Sequence, residues 1–123
     1  MPKVLIIEDD VDTSRLMGKL LSQNGYQVLA AIDAYQGINL IRKERPDLVI
    51  LDLKMPAGGG IGVLKSIRSS MLFSFTTVVV VTASDDQELK KQVTELGVQG
   101  YVQKPFKNEL LLQVIRNALD NKT

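Results

Sequence analysis

The 123-residue chain contains no cysteine and no histidine. Without cysteine there are no disulfides and no thiol catalysis. Without either residue, imidazole acid–base chemistry and the usual zinc ligands also drop out. Any chemistry falls to carboxylates, hydroxyls and lysines. An excess of one charge sign is lacking too: 15 basic residues against 14 acidic give a net +1. No overall field therefore argues for nucleic acid or an acidic membrane surface, and binding is expected to be local. The opening MPKVLII is too short for a signal-peptide core, and no apolar stretch approaches the roughly 18 residues of a membrane span. The expectation is a cytoplasmic protein with no membrane and no direct nucleic-acid partner. The length suits one domain over residues 1–123, with a core that needs no staples.

What is present is an alternation, repeated five times, of strand-length apolar runs and segments of helical period. The strand candidates are residues 3–7, 27–31, 48–51, 78–81 and 101–103. The third and fourth are almost wholly apolar, as strands covered on both faces should be, and are expected to be central. The first helix presents Leu16, Met17, Leu20 and Leu21 on one face and stops at Asn24-Gly25. The second, capped by Asp33, buries Ile38 and Ile41 and ends before Pro46. The third, residues 61–68, uses Ile61, Leu64 and Ile67; the fourth uses Leu89, Val93 and Leu96, with Ser84 or Asp85 as its cap. The fifth starts at Asn108 and turns Leu111, Val114, Ile115, Ala118 and Leu119 inward, and the polar DNKT that closes the chain is expected to fray. Five strand-then-helix units with right-handed crossovers give an α/β fold, an open doubly wound parallel sheet with helices on both faces, since a barrel needs eight units.

The stretch VLIIEDDVD, residues 4–12, drives four apolar side chains straight into Glu8, Asp9, Asp10 and Asp12. A carboxylate pair about 4 Å apart near a surface repels by up to ~4 kcal/mol, so a compensating charge is expected. Asp10 and Asp12 have a local explanation, as acids that cap the following helix and favour its dipole. Glu8 and Asp9 do not. In open parallel sheets, sites form beyond the carboxyl ends of the strands. At those exits stand Glu8 and Asp9, then Asp52, then Thr82 and Ala83, then Lys104-Pro105. Carboxylates converging from two strands disfavour their own ionisation, and a small hard dication is the natural relief.

The four stretches IIEDD, LVILDLKMP, VVVVTA and YVQKPF, in this order and spacing, resemble the response-regulator receiver domains of two-component signalling from end to end. The resemblance implies a flavodoxin-like strand order 2-1-3-4-5. It implies that Asp52 accepts a phosphoryl group, and that Mg²⁺ is held by Asp52, by Asp9 directly, by Glu8 through water and by the Lys54 backbone carbonyl. Thr82 matches the hydroxyl that follows the phosphoryl group, Lys104 the cation that pairs with it, and Tyr101 the aromatic that changes rotamer. The Lys104-Pro105 peptide is expected to be cis. The implied function is a signalling switch that catalyses its own phosphorylation and dephosphorylation. A sensor histidine kinase or phosphotransfer protein is the implied donor, and output passes through the surface of the fourth helix, fifth strand and fifth helix. Phosphorylation is expected to promote pairing of two copies through that surface. The chain is either free-standing, acting on an output partner, or the receiver piece of a longer regulator or hybrid kinase whose effector domain is missing here.

Gly58 and Gly59 depart from the family pattern, standing where a large apolar residue and often Asp or Asn would be; AGGG, residues 57–60, is read as a flexible turn. Thr77 replaces a common Pro. Lys54 and Ser84 hold positions where members vary. An aspartate-nucleophile phosphohydrolase would carry a second Asp at the position of Lys54. A flavin carrier would meet repulsion between carboxylates and flavin phosphate. A pseudo-receiver used only for protein contacts would tolerate loss of Asp52 or Lys104, and both are present.

Overall fold

The computed structural model describes residues 1–55 and 59–121. Strands β1 (Lys3–Ile7), β2 (Gln27–Ala31), β3 (Leu48–Leu51), β4 (Val78–Thr82) and β5 (Gly100–Gln103) alternate with helices α1 (Val11–Gln23), α2 (Ala34–Glu44), α3 (Gly59–Ser69), α4 (Gln87–Leu96) and α5 (Asn108–Asp120). The sheet is parallel throughout, in the order β2-β1-β3-β4-β5. This is the order the resemblance implied, with β3 at the centre and β4 beside it.

Successive strand residues point to opposite faces, so each apolar strand feeds two cores. Val4, Ile6, Leu48, Ile50, Val79 and Val81 pack against Met17 and Leu21 of α1 and Leu111, Ile115 and Ala118 of α5. Leu5, Ile7, Val49, Leu51, Val78 and Val80 pack against Ile41 of α2, Val63, Leu64 and Ile67 of α3 and Val93 of α4. Burial on both faces is why β3 and β4 carry no alternating polar residue.

Asp10 caps α1 by accepting from the N–H groups of Asp12 and Thr13, and Asp33 caps α2 by accepting from that of Gln36. Several local expectations are corrected. The cap of α4 is Asp86, whose carboxylate accepts from Glu88 and Leu89; Ser84 Oγ instead accepts the Asp86 N–H at 3.2 Å. Helix α3 begins two residues before Ile61, and Gly59 and Gly60 are buried helical residues. The rest of the expected turn, Ala57 and Gly58, lies outside the described residues. In α1 the sheet-facing direction runs through Met17 and Leu21, which leaves Leu20 half-buried and Leu16 71% exposed, a quarter turn away. Ile38, Ile61, Leu89, Leu96, Val114 and Leu119 are half-buried flanks of their helices. Asp120 belongs to α5 and Asn121 caps it; Lys122 and Thr123 lie outside the described residues.

Candidate functional site

Register brings the strand exits together. Ile7 pairs with both Ala31 and Leu51, and the Asp52 N–H donates to the Ile7 carbonyl at 3.2 Å. Glu8 and Asp52 therefore leave the sheet side by side. Thr82 pairs with Gln103, and the Lys104 N–H donates to the Thr82 carbonyl at 2.8 Å, which places Lys104 at the same rim. The Lys104-Pro105 peptide is cis.

Lys104 Nζ donates to Glu8 Oε1 at 2.5 Å and to Asp52 Oδ2 at 3.4 Å. Glu8, Asp52 and Thr82 are buried, whereas Asp9 is exposed. One carboxylate oxygen from each of Glu8, Asp9 and Asp52 lies within 4.8 Å of the others. The Asp52 Oδ1 accepts the Lys54 N–H at 3.0 Å. The Thr82 hydroxyl accepts the Ser84 N–H at 3.3 Å. Tyr101 lies half-buried on β5, with Lys90 Nζ 5.0 Å from its ring centroid.

Burial, aided by the neighbouring Asp52 carboxylate, lifts Glu8 from 4.5 to about 7 against the pull of Lys104. Burial also opposes ionisation of Asp52. The Lys54 N–H, Glu8, Thr82 and the charge of Lys104 together outweigh it and hold Asp52 below the ordinary carboxylate range. Lys104 is lowered by burial but raised more by its two carboxylates, for a net rise. Glu8 and Asp52 share one cation and titrate as a pair, with Glu8 shifted up and Asp52 down. Tyr101 is raised by burial and by Asp86, and Asp10 is lowered by its bonds to Thr13.

The donor set suits a magnesium ion. Oxygens sharing one Mg²⁺ at about 2.1 Å stand up to ~4.2 Å apart, so these carboxylates need only small adjustments, and hard oxygen ligands are what the ion prefers.

Sequence reasoning missed Gly60. A Cβ there would lie 2.1 Å from the Asp52 carbonyl oxygen and 2.9 Å from the Asp52 carbonyl carbon. Gly59 adopts φ 61°, and its Cβ would lie 2.7 Å from the Leu53 carbonyl oxygen. Only glycine lets α3 sit down on the backbone that carries Asp52. The signal was the glycine run itself, which reads as a flexible turn in sequence.

Residues 4–116 match the family model described as response regulator receiver domain. The chain is 31% identical over 121 residues to sporulation initiation phosphotransferase F of Bacillus subtilis, covering 98% of this chain and 96% of that protein. It is 34% identical to hybrid signal transduction histidine kinase D of Dictyostelium discoideum, but spans 8% of its length. It is also 34% identical to the probable transcriptional regulator ycf27 of Porphyridium aerugineum, of which it spans 48%. Among solved structures, a CheY-like receiver domain protein from Methanospirillum hungatei superposes with TM-score 0.93 at 26% identity, over 99% of this chain and 96% of that one. Chemotaxis regulator CheY4 of Vibrio cholerae gives TM-score 0.88 at 29% identity, over 96% and 98%. With the sheet order, the acid cluster at the strand exits and these matches in agreement, the chain belongs to the response regulator receiver domain family.

Proposed function

We propose that the chain is a phosphoacceptor switch that takes a phosphoryl group on Asp52 from a histidine kinase or phosphotransfer protein. The observation that carries this reading is the convergence of Asp52, Glu8 and Lys104: a buried carboxylate held anionic, with an ammonium 3.4 Å away. An Asp52 oxygen attacks phosphorus as the phosphorus–nitrogen bond to the donor imidazole breaks, and the electron pair leaves on that nitrogen. Two anions must meet, so charge neutralisation and positioning carry most of the catalysis. Lys104 supplies one positive charge and moves from carboxylate to phosphoryl oxygen. Asp9 and Asp52 would hold Mg²⁺ directly, Glu8 through water and Lys54 through its carbonyl; bound there, the ion neutralises phosphoryl charge. The Thr82 hydroxyl hydrogen-bonds the aspartyl phosphate, and its inward movement makes room for Tyr101 to turn. The change is read on the α4–β5–α5 surface, where phosphorylation also promotes pairing of two copies. Hydrolysis at the same site resets the switch.

A donor must cover the surface next to Lys104. There an apolar cavity of about 410 Å³ opens between α1 and the start of α5, lined by Leu16, Met17, Leu20, Lys104 and Phe106 among others. The exposure of Leu16 fits a docking role for this groove. The phosphohydrolase reading is disfavoured by Lys54 at the position of a second acid, and the pseudo-receiver reading by an intact Asp52–Lys104 pair.

Incubation with acetyl phosphate and Mg²⁺, followed by intact mass, tests the proposal. One phosphoryl group is expected on the wild type and none on Asp52→Asn. A mass gain that survives in the variant moves the acceptor elsewhere.

A further inference from the structure

At the end of the sheet opposite Asp52, the α3–β4 connection, residues 70–77, turns three large apolar side chains outward. Met71 is 99% exposed, Phe75 95% and Leu72 64%. Such a cluster is uncommon on a protein surface without a partner. The loop is built rather than slack. Ser70 Oγ accepts the N–H groups of Leu72 and Phe73 at 3.1 and 3.4 Å, and Thr76 Oγ1 donates to the Phe73 carbonyl at 2.7 Å. The Arg68 guanidinium donates to the carbonyls of Ser74 and Thr76 at 2.9 and 2.7 Å, and to that of Gly97 at 2.8 Å. Of the loop's apolar residues only Phe73 packs against the core. The others are held out.

A cation stands beside this tip. Arg45, which ends α2 in the left-handed region at φ 49°, lines a shallow cavity with Ile41, Pro46, Leu72 and Phe75, and its Nη1 lies 3.5 Å from the Leu72 carbonyl oxygen. Arg42 and Lys43 are exposed in the last turn of α2. The acids nearest in sequence are engaged by Lys3: Glu44 Oε1 pairs with Lys3 Nζ at 3.3 Å, and Asp47 Oδ2 accepts the Lys3 N–H at 2.7 Å.

We propose that this end of the molecule is a membrane-contacting edge: Met71, Leu72 and Phe75 insert at the headgroup boundary of a bilayer, and Arg42, Lys43 and Arg45 face its anionic phosphates. The combination of a projecting apolar tip and a basic rim is the one that interfacial binding uses. A second copy is disfavoured because a two-fold contact would set the same cations against each other. A protein groove would also receive a projecting tip, but it would leave anionic vesicles unbound, and the test below reads that outcome. The expectation of no membrane contact followed from the lack of a span and of an overall field; a local patch satisfies neither criterion and needs neither. The catalytic rim stays free, and the proposal does not depend on the phosphoacceptor reading.

The chain has no tryptophan, so Phe75→Trp makes a single reporter at the tip. At low salt, vesicles of phosphatidylcholine with roughly one third phosphatidylserine should shift its emission to the blue and allow quenching by brominated lipid. Phosphatidylcholine alone should bind far more weakly. Arg42→Gln, Lys43→Gln and Arg45→Gln should each weaken binding about fivefold, and added salt should weaken it further. Met71→Ser with Leu72→Ser should abolish it. Circular dichroism checks the fold of each variant, and the α2 variants leave the loop sequence untouched should the loop pair fail to fold. Absence of a shift on anionic vesicles overturns the proposal. So does binding that the loop pair or the charge changes leave intact, or self-association without lipid that the loop pair removes, which would mark a protein interface.

Discussion

Lys104 and Glu8, ninety-six residues apart in sequence, meet at 2.5 Å, closer than Lys104 lies to Asp52 at 3.4 Å. The lysine thus bridges two buried carboxyl groups and sits nearer to Glu8 than to Asp52. Glu8 belongs both to this ion pair and to the acid cluster with Asp9 and Asp52.

Replacing that cation exposes the conflict it resolves. Lys104→Met should lower stability in EDTA by about 2–3 kcal/mol, measured by urea unfolding, because two buried carboxylates lose their partner. In a Glu8→Gln background the same change should cost clearly less. Equal costs in both backgrounds would mean that the pair does not couple. Addition of Mg²⁺ should return part of the loss in Lys104→Met if the donor set binds the ion.

The lifted pKa of Glu8 fixes the sign of a pH effect. A carboxyl at about 7 when folded and 4.5 when unfolded favours the folded state in its protonated form. Its contribution is full below 4.5 and is lost as pH rises through about 7. Asp52, shifted down, acts only at pH below its ordinary value, and Lys104, shifted up, only in the alkaline range. There is no histidine to titrate between them. In EDTA the thermal midpoint should therefore fall between about pH 5 and about pH 8, and Glu8→Gln should flatten the change. A midpoint that rises over this interval in the wild type contradicts the assignment.

Two glycines of one helix should respond oppositely to the same substitution. Gly60→Ala puts a methyl against the Asp52 carbonyl and should destabilise by about 1–3 kcal/mol, slowing acetyl phosphate labelling as the Asp52 backbone shifts. Gly62 is exposed, with nothing within 4 Å of an added Cβ. Gly62→Ala should stabilise by up to ~1 kcal/mol and leave labelling unchanged. If both variants stabilise, α3 does not bear on the Asp52 backbone as closely as the geometry indicates.

Period and punctuation determined much of this in advance. Short apolar runs marked the strands, and Asp33, Asn24-Gly25 and Pro46 marked helix ends close to where they lie, because caps and breakers act within a turn of their own position. The positions of Glu8, Asp9, Asp52, Thr82 and Lys104 at strand exits were legible for the same reason, while their roles came only from the resemblance of four stretches taken in order. What the sequence left open were relationships across the chain. The pairing of Ile7 with Leu51 sets Glu8 beside Asp52, and a parallel register is a choice among many that local pattern cannot make. The same holds for Gly60 against the Asp52 carbonyl, for Arg68 binding carbonyls from two loops, and for Leu16, apolar by pattern yet exposed because the sheet meets α1 a quarter turn away. Local propensity decides which elements form; only packing, which sums contacts between residues far apart in sequence, decides which side chains meet and which are left facing out.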